Sequence, residues 1–99
     1  MAVLLDSGVD CCTITLAGAV GIETASGLHA AAVTAAGGAA PVVVVTLTAA
    51  PSVDTSAAQI LLALARELAG QGRTFRLSGG SPPVAARLRL VGLAAALID

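Results

Sequence analysis

The side chains able to do acid–base, nucleophilic or metal chemistry are few and scattered. Of 99 residues, six are carboxylates, five are arginines, two are cysteines and one is a histidine; there is no lysine, tyrosine or tryptophan. Adjacent Cys11 and Cys12 have only His29 to join them, short of the ligands a metal site needs. Neighbours on a strand point to opposite sides, so the two cysteines read as small, buried or half-buried strand residues rather than as a disulfide. His29 sits in an alanine-rich stretch and reads as an edge or solvent-facing residue. No Ser-His-Asp grouping or carboxylate pair assembles. Gly79-Gly80-Ser81 lacks the lysine and spacing of a P-loop. No enzyme activity, cofactor or metal is expected. One further constellation is Asp54-Thr55-Ser56, a carboxylate and two hydroxyls ahead of an apolar run. That is the pattern of a helix N-cap, with Asp54 or Thr55 as the capping residue. The same helix end, with its orphan N–H groups and dipole, also favours an anion.

Composition narrows the function classes. Hydrophobic residues make up 57%, aromatic residues 1% and charged residues 11%, with a net charge of −1. Without a basic cluster or aromatic stacking platforms, nucleic-acid binding is not expected. The apolar content excludes disorder. The stretch from Thr24 to Val53 carries no Asp, Glu, Lys or Arg, but it contains His29, and Gly37-Gly38 and Pro41 break it into pieces too short to span a bilayer. The N-terminal apolar run has no basic flank and is too short for a signal peptide. A cytoplasmic protein without membrane insertion is expected.

The elements that must position Asp54-Thr55-Ser56 follow from periodicity. Val3–Leu5 is a short apolar run ending at Asp6-Ser7-Gly8, and Cys12–Leu16 alternates as a half-buried strand. A helix over Thr24–Ala36 has Leu28, Ala31, Ala32 and Ala35 on its inner face. Val42–Leu47 is a β-branched run, read as a central strand covered on both faces and paired in parallel. A second helix, Thr55–Ala69, carries the stripe Ile60, Leu61, Leu64 and Leu68, with Gln59, Arg66 and Glu67 outside it. A strand over Thr74–Leu77 has Arg76 outward. A third helix starts at Ser81-Pro82-Pro83, with Ser81 as cap, and carries Val84, Leu88 and Val91 inward. The tail from Leu93 to Asp99 is expected to pack as a last turn or helix. The five arginines, Arg87 and Arg89 among them, are read as a solvated face. Strands alternating with helices predict an α/β fold with right-handed crossovers. It is one domain over residues 1–99, with an about four-stranded mixed sheet and three to four helices packed on it.

The order of these features carries a resemblance. Val42–Leu47, then Val53-Asp54-Thr55-Ser56, a Leu-rich helix closed by Gly70-Gln71-Gly72, the Gly79-Gly80-Ser81-Pro82-Pro83-Val84 loop and Val91-Gly92-Leu93 together resemble the STAS domain. This is the fold of sulphate-transporter tails and anti-sigma-factor antagonists. The resemblance runs from about Cys12 to Ile98. It implies a partner-switching protein rather than an enzyme. In antagonist members, a serine kinase that doubles as anti-sigma factor phosphorylates the residue after the motif Asp. That position is Thr55 here, with Ser56 beside it. The implied docking face comprises Asp54, Thr55, Ser56, Ala57 and Gln59. A phosphate brings about −1.5 to −2 charges, more than the whole chain carries, and would release the partner. The same fold also implies two other roles. One is the small subunit docked on the ATPase of a lipid-trafficking ABC transporter; the other is an adaptor in chemotaxis or two-component signalling. A weak homodimer is a further expectation.

The chain departs from the antagonist pattern at three places. Gly18-Ala19-Val20-Gly21 stands where antagonists carry an acidic tetrapeptide, so acids are missing at Ala19 and Gly21, although Glu23 lies nearby. Thr46 replaces an Asp or Asn on the central strand, and Ala57 a frequent Gly.

Overall fold

The computed structural model describes residues 2–17, 25–49, 53–79, 81–90 and 92–93. Strand β1 (Ala2–Ser7) turns back through Gly8 into β2 (Cys11–Ala17). The turn is tight: the Gly8 N–H donates to the Cys11 carbonyl at 3.0 Å. A Cβ on Gly8 would lie 2.7 Å from that carbonyl oxygen, so only glycine fits without a shift. Helix α1 (Ala25–Gly37), strand β3 (Val42–Ala49), helix α2 (Thr55–Gly70), strand β4 (Thr74–Ser78) and helix α3 (Pro82–Leu90) follow. The sheet order is β1-β2-β3-β4. β1 and β2 are antiparallel; β2–β3 and β3–β4 are parallel, so each parallel pair is joined through a helix. The mixed four-stranded sheet and the alternation of strands and helices agree with the sequence pattern. The acid-poor segment around Ala19 and Gly21 and the tail beyond Leu93 lie outside the described residues.

The core forms between one sheet face and the helices. Ile14 and Leu16 of β2, Val43, Val45 and Leu47 of β3, and Leu77 of β4 are fully buried. Leu28, Ala31, Ala32 and Ala35 of α1 meet them as the spacing predicts, and Leu61, Leu64 and Leu68 of α2 join the same cluster. Three expectations need correction. First, β3 is not covered equally on both faces. Val42, Val44 and Thr46, which alternate with its buried residues, are only half-buried. Parallel pairing on both edges, not a second helical layer, surrounds this β-branched run. Second, Ile60 is partly rather than fully buried; the buried α2 stripe begins instead at Ala57 and Ala58. Third, Ser81 does not cap α3 with its side chain: its Oγ is buried and makes no hydrogen bond. Pro82 and Pro83 lack N–H groups, which removes most of what a cap would satisfy, and the Ala85 N–H bonds the Ser81 carbonyl at 2.8 Å.

Arg73 also departs from the solvated reading. Its Nε donates to the Ala40 carbonyl at 2.7 Å, and its Nη1 to the Ala36 carbonyl at 3.1 Å and to Gln71 Oε1 at 2.8 Å. A cation thus joins the Gln71 side-chain amide, 3.1 Å away, on the Ala36 carbonyl at the C-terminal end of α1, where the helix dipole favours positive charge. The contact fastens the entry to β3 against the exit from α2. Both cysteines are free thiols; Cys12 is buried as read, but Cys11, at the start of β2, is exposed rather than buried or half-buried.

Candidate functional site

α2 follows β3 in the chain, and its cap and first turn gather the residues singled out in the sequence. Asp54 is the N-cap, with φ −84° and ψ 178°, extended backbone that turns its side chain back over the helix. Its Oδ1 accepts the Ala57 N–H at 2.9 Å and the Ser56 hydroxyl, also at 2.9 Å. Its carbonyl accepts the Ala58 N–H at 2.9 Å, opening the helical ladder. The choice between Asp54 and Thr55 as cap is therefore decided for Asp54. Removing that carboxylate by Asp54→Ala is expected to cost about 1 kcal/mol, the usual worth of a cap. A lower urea midpoint with an unchanged m-value would show it.

The two hydroxyls of the motif differ in environment. Ser56 is half-buried and spends its O–H on Asp54. Thr55 is exposed, and its Oγ1 accepts a hydrogen bond from Nη1 of Arg87 on α3 at 3.0 Å. Arg87 lies 32 residues away, and no local pattern marked it. Of the other expected contact residues, Gln59 is exposed and, with Ser56, borders an open apolar groove of about 510 Å³ between α1 and α2. His29 lines the same groove from the α1 side and is exposed, as expected. Ala57 is a correction: it has no exposed surface and packs into the core, so it cannot present a side chain to a partner. It lies four residues before Leu61 on the inward stripe. Thr46 is half-buried on β3, away from the fully buried sheet face.

The arrangement offers one exposed hydroxyl on a rigid helix start, one carboxylate fixed beside it and one guanidinium across from it. Among the described residues no group of three or more His, Cys, Asp or Glu side chains could hold a metal. No helix among them is long and apolar enough to cross a membrane.

The family model described as "Mlab, STAS domain" matches residues 3–99, and the chain belongs to this STAS-domain family. Its fold is that of anti-sigma-factor antagonists. The anti-sigma factor antagonist SpoIIAA in its unphosphorylated form superposes with a TM-score of 0.87 at 23% identity, covering 99% of this chain and 87% of that one. The Bacillus cell fate determinant SpoIIAA in the phosphorylated form gives 0.82 at 22% identity, covering 99% and 90%. An anti-sigma factor antagonist from Mycobacterium paratuberculosis gives 0.84 at 21% identity, covering 98% and 82%. No curated protein matches the chain significantly in sequence.

Proposed function

We propose that this STAS-domain protein is a non-enzymatic partner-switching regulator in the cytoplasm. It docks a serine kinase of the anti-sigma-factor type through the start of α2, and phosphorylation of Thr55 releases that partner. The observation that carries this reading is the division of labour at the helix start. Asp54 does the capping, Ser56 is tied to Asp54, and Thr55 is left exposed with its Oγ1 at the surface. Phosphoryl transfer from ATP would form the bond between Thr55 Oγ1 and the γ-phosphorus as the bond to the β,γ-bridging oxygen breaks. ADP leaves with that electron pair, and the hydroxyl proton passes to a base of the kinase. The new dianionic group would stand beside Asp54, adding like charge to a lightly charged contact face. Occurrence of a phosphorylated form of the SpoIIAA structure supports a switch on this fold.

A second reading keeps the same docking face but changes the partner to the ATPase of a lipid-trafficking ABC transporter. It is favoured by the match of nearly the whole chain to a STAS family model whose description does not specify an anti-sigma role. Incubation with ATP and a serine kinase of the anti-sigma-factor type, followed by peptide mass spectrometry, tests the first reading. One phosphate on Thr55 is expected. An unmodified chain, or phosphate only at other residues, overturns it.

A further inference from the structure

We propose that Arg87 is the internal receptor for the phosphate on Thr55, a positioning residue that holds the modified group against α3. The proposal rests on the reading above that Thr55 is the modified residue. Its own basis is the hydrogen bond from Arg87 Nη1 to Thr55 Oγ1 at 3.0 Å, which joins α3 to the first turn of α2. The phosphorus would attach to the atom Arg87 already touches. The new terminal oxygens therefore stand one bond further out, within reach of a guanidinium whose fork of donors suits phosphate. Arg87 reaches Thr55 from a fixed base, because its neighbours Val84, Ala85 and Leu88 are buried and lock α3 in place.

The consequence is a phosphorylated surface different from a bare added charge. One positive charge offsets part of the phosphate's −1.5 to −2. The group is turned toward α3 rather than left free in solvent, and the start of α2 becomes cross-linked to α3. Arg87 also lies in the last turn of α3, where a cation favours the helix dipole, and that alone would be a structural role. Arg89 shares that last turn but sits two residues on, off the Arg87 face, so it serves as a control of equal charge.

The test installs phosphothreonine at position 55 of the full chain by genetic encoding, so that no kinase is required. It is made in the otherwise unaltered protein and in Arg87→Gln, Arg87→Lys and Arg89→Gln. Phosphorus NMR then follows the second ionisation of the phosphate. With Arg87 present, the midpoint is expected to lie about 0.5 pH lower or more than in Arg87→Gln, since a nearby cation favours the dianion, less so at an exposed site. Arg89→Gln should titrate like the unaltered chain, and Arg87→Lys should recover part of the shift. Asp54 raises the midpoint in every variant and drops out of the comparison. Thermal midpoints with and without the phosphate complete a double-mutant cycle. Coupling between phosphate and Arg87 is expected, whereas a dipole role alone would give additive effects. Identical titration curves with additive midpoints overturn the proposal. The outcome is separate from that of the kinase experiment: an enzyme that ignores Thr55 defeats the switch, and an indifferent phosphorus titration defeats only the role of Arg87.

Discussion

Leu61→Ala is expected to destabilise the protein by about 2–5 kcal/mol, the range for emptying a leucine site in a packed core. Leu61 has no exposed surface, and it lies one helical turn beyond Ala57 on the stripe that seats α2. In a domain whose whole stability is about 5–15 kcal/mol, that loss is a large share. The thermal midpoint should fall by roughly 10 °C or more. The effect reaches the site because Thr55 and Ser56 belong to the first turn of α2 and Asp54 caps it. Differential scanning calorimetry of the variant beside Leu62→Ala, where the side chain is only partly buried, checks the account. The partly buried position should cost clearly less; equal losses would mean that α2 is not seated as described.

Thr55→Ala is expected to abolish phosphate incorporation by an anti-sigma-type kinase, while Ser56→Ala leaves it largely intact. Both hydroxyls belong to the same turn, so sequence proximity cannot separate them. Their surroundings do. Ser56 Oγ is 2.9 Å from Asp54 Oδ1 and half-buried at the edge of the α1–α2 groove, so a kinase would have to break that bond and pull the residue outward. Thr55 is exposed, and its Oγ1 is bonded by a long surface arginine that moves at little cost. Incorporation of radiolabelled phosphate into the two variants reads the difference directly. Loss of label from Ser56→Ala with retention in Thr55→Ala would reverse the assignment.

Much of this architecture is legible in the chain because the signals are local. The alternation of Cys12–Leu16, the β-branched run at Val42 and the leucine spacing after Thr55 each mark an element on their own. The N-cap at Asp54 is legible for the same reason: its capping bonds to Ser56 and Ala57 stay within three residues of it. At Ala57 the helical spacing outweighs the contact role that the resemblance implies. It sits four, seven and eleven residues before Leu61, Leu64 and Leu68, which places it on the buried stripe rather than the contact face. Ser81 shows a local rule overridden by its neighbours, since the two prolines after it leave little for a cap to do. Arg87 and Arg73 show what no local rule reaches. Each bonds a group more than thirty residues away, and only the folded sheet brings α3 to the start of α2 or the end of α2 to the end of α1. An arginine carries the same sequence signature whether it is solvated or engaged.

These residues converge on one claim: charge at Thr55 controls docking. The start of α2 is lightly charged, the whole chain carries a net charge of −1, and one phosphate exceeds that total. Like charge or unpaired charge brought into a desolvated contact costs up to several kcal/mol, and about 1.4 kcal/mol of it is already tenfold in affinity. The most direct measurement is an isothermal titration of an anti-sigma-type kinase, without ATP, into the chain phosphorylated at Thr55 and into the unmodified chain. The account predicts a Kd at least about tenfold weaker for the phosphorylated form. Equal dissociation constants for the two forms would contradict it.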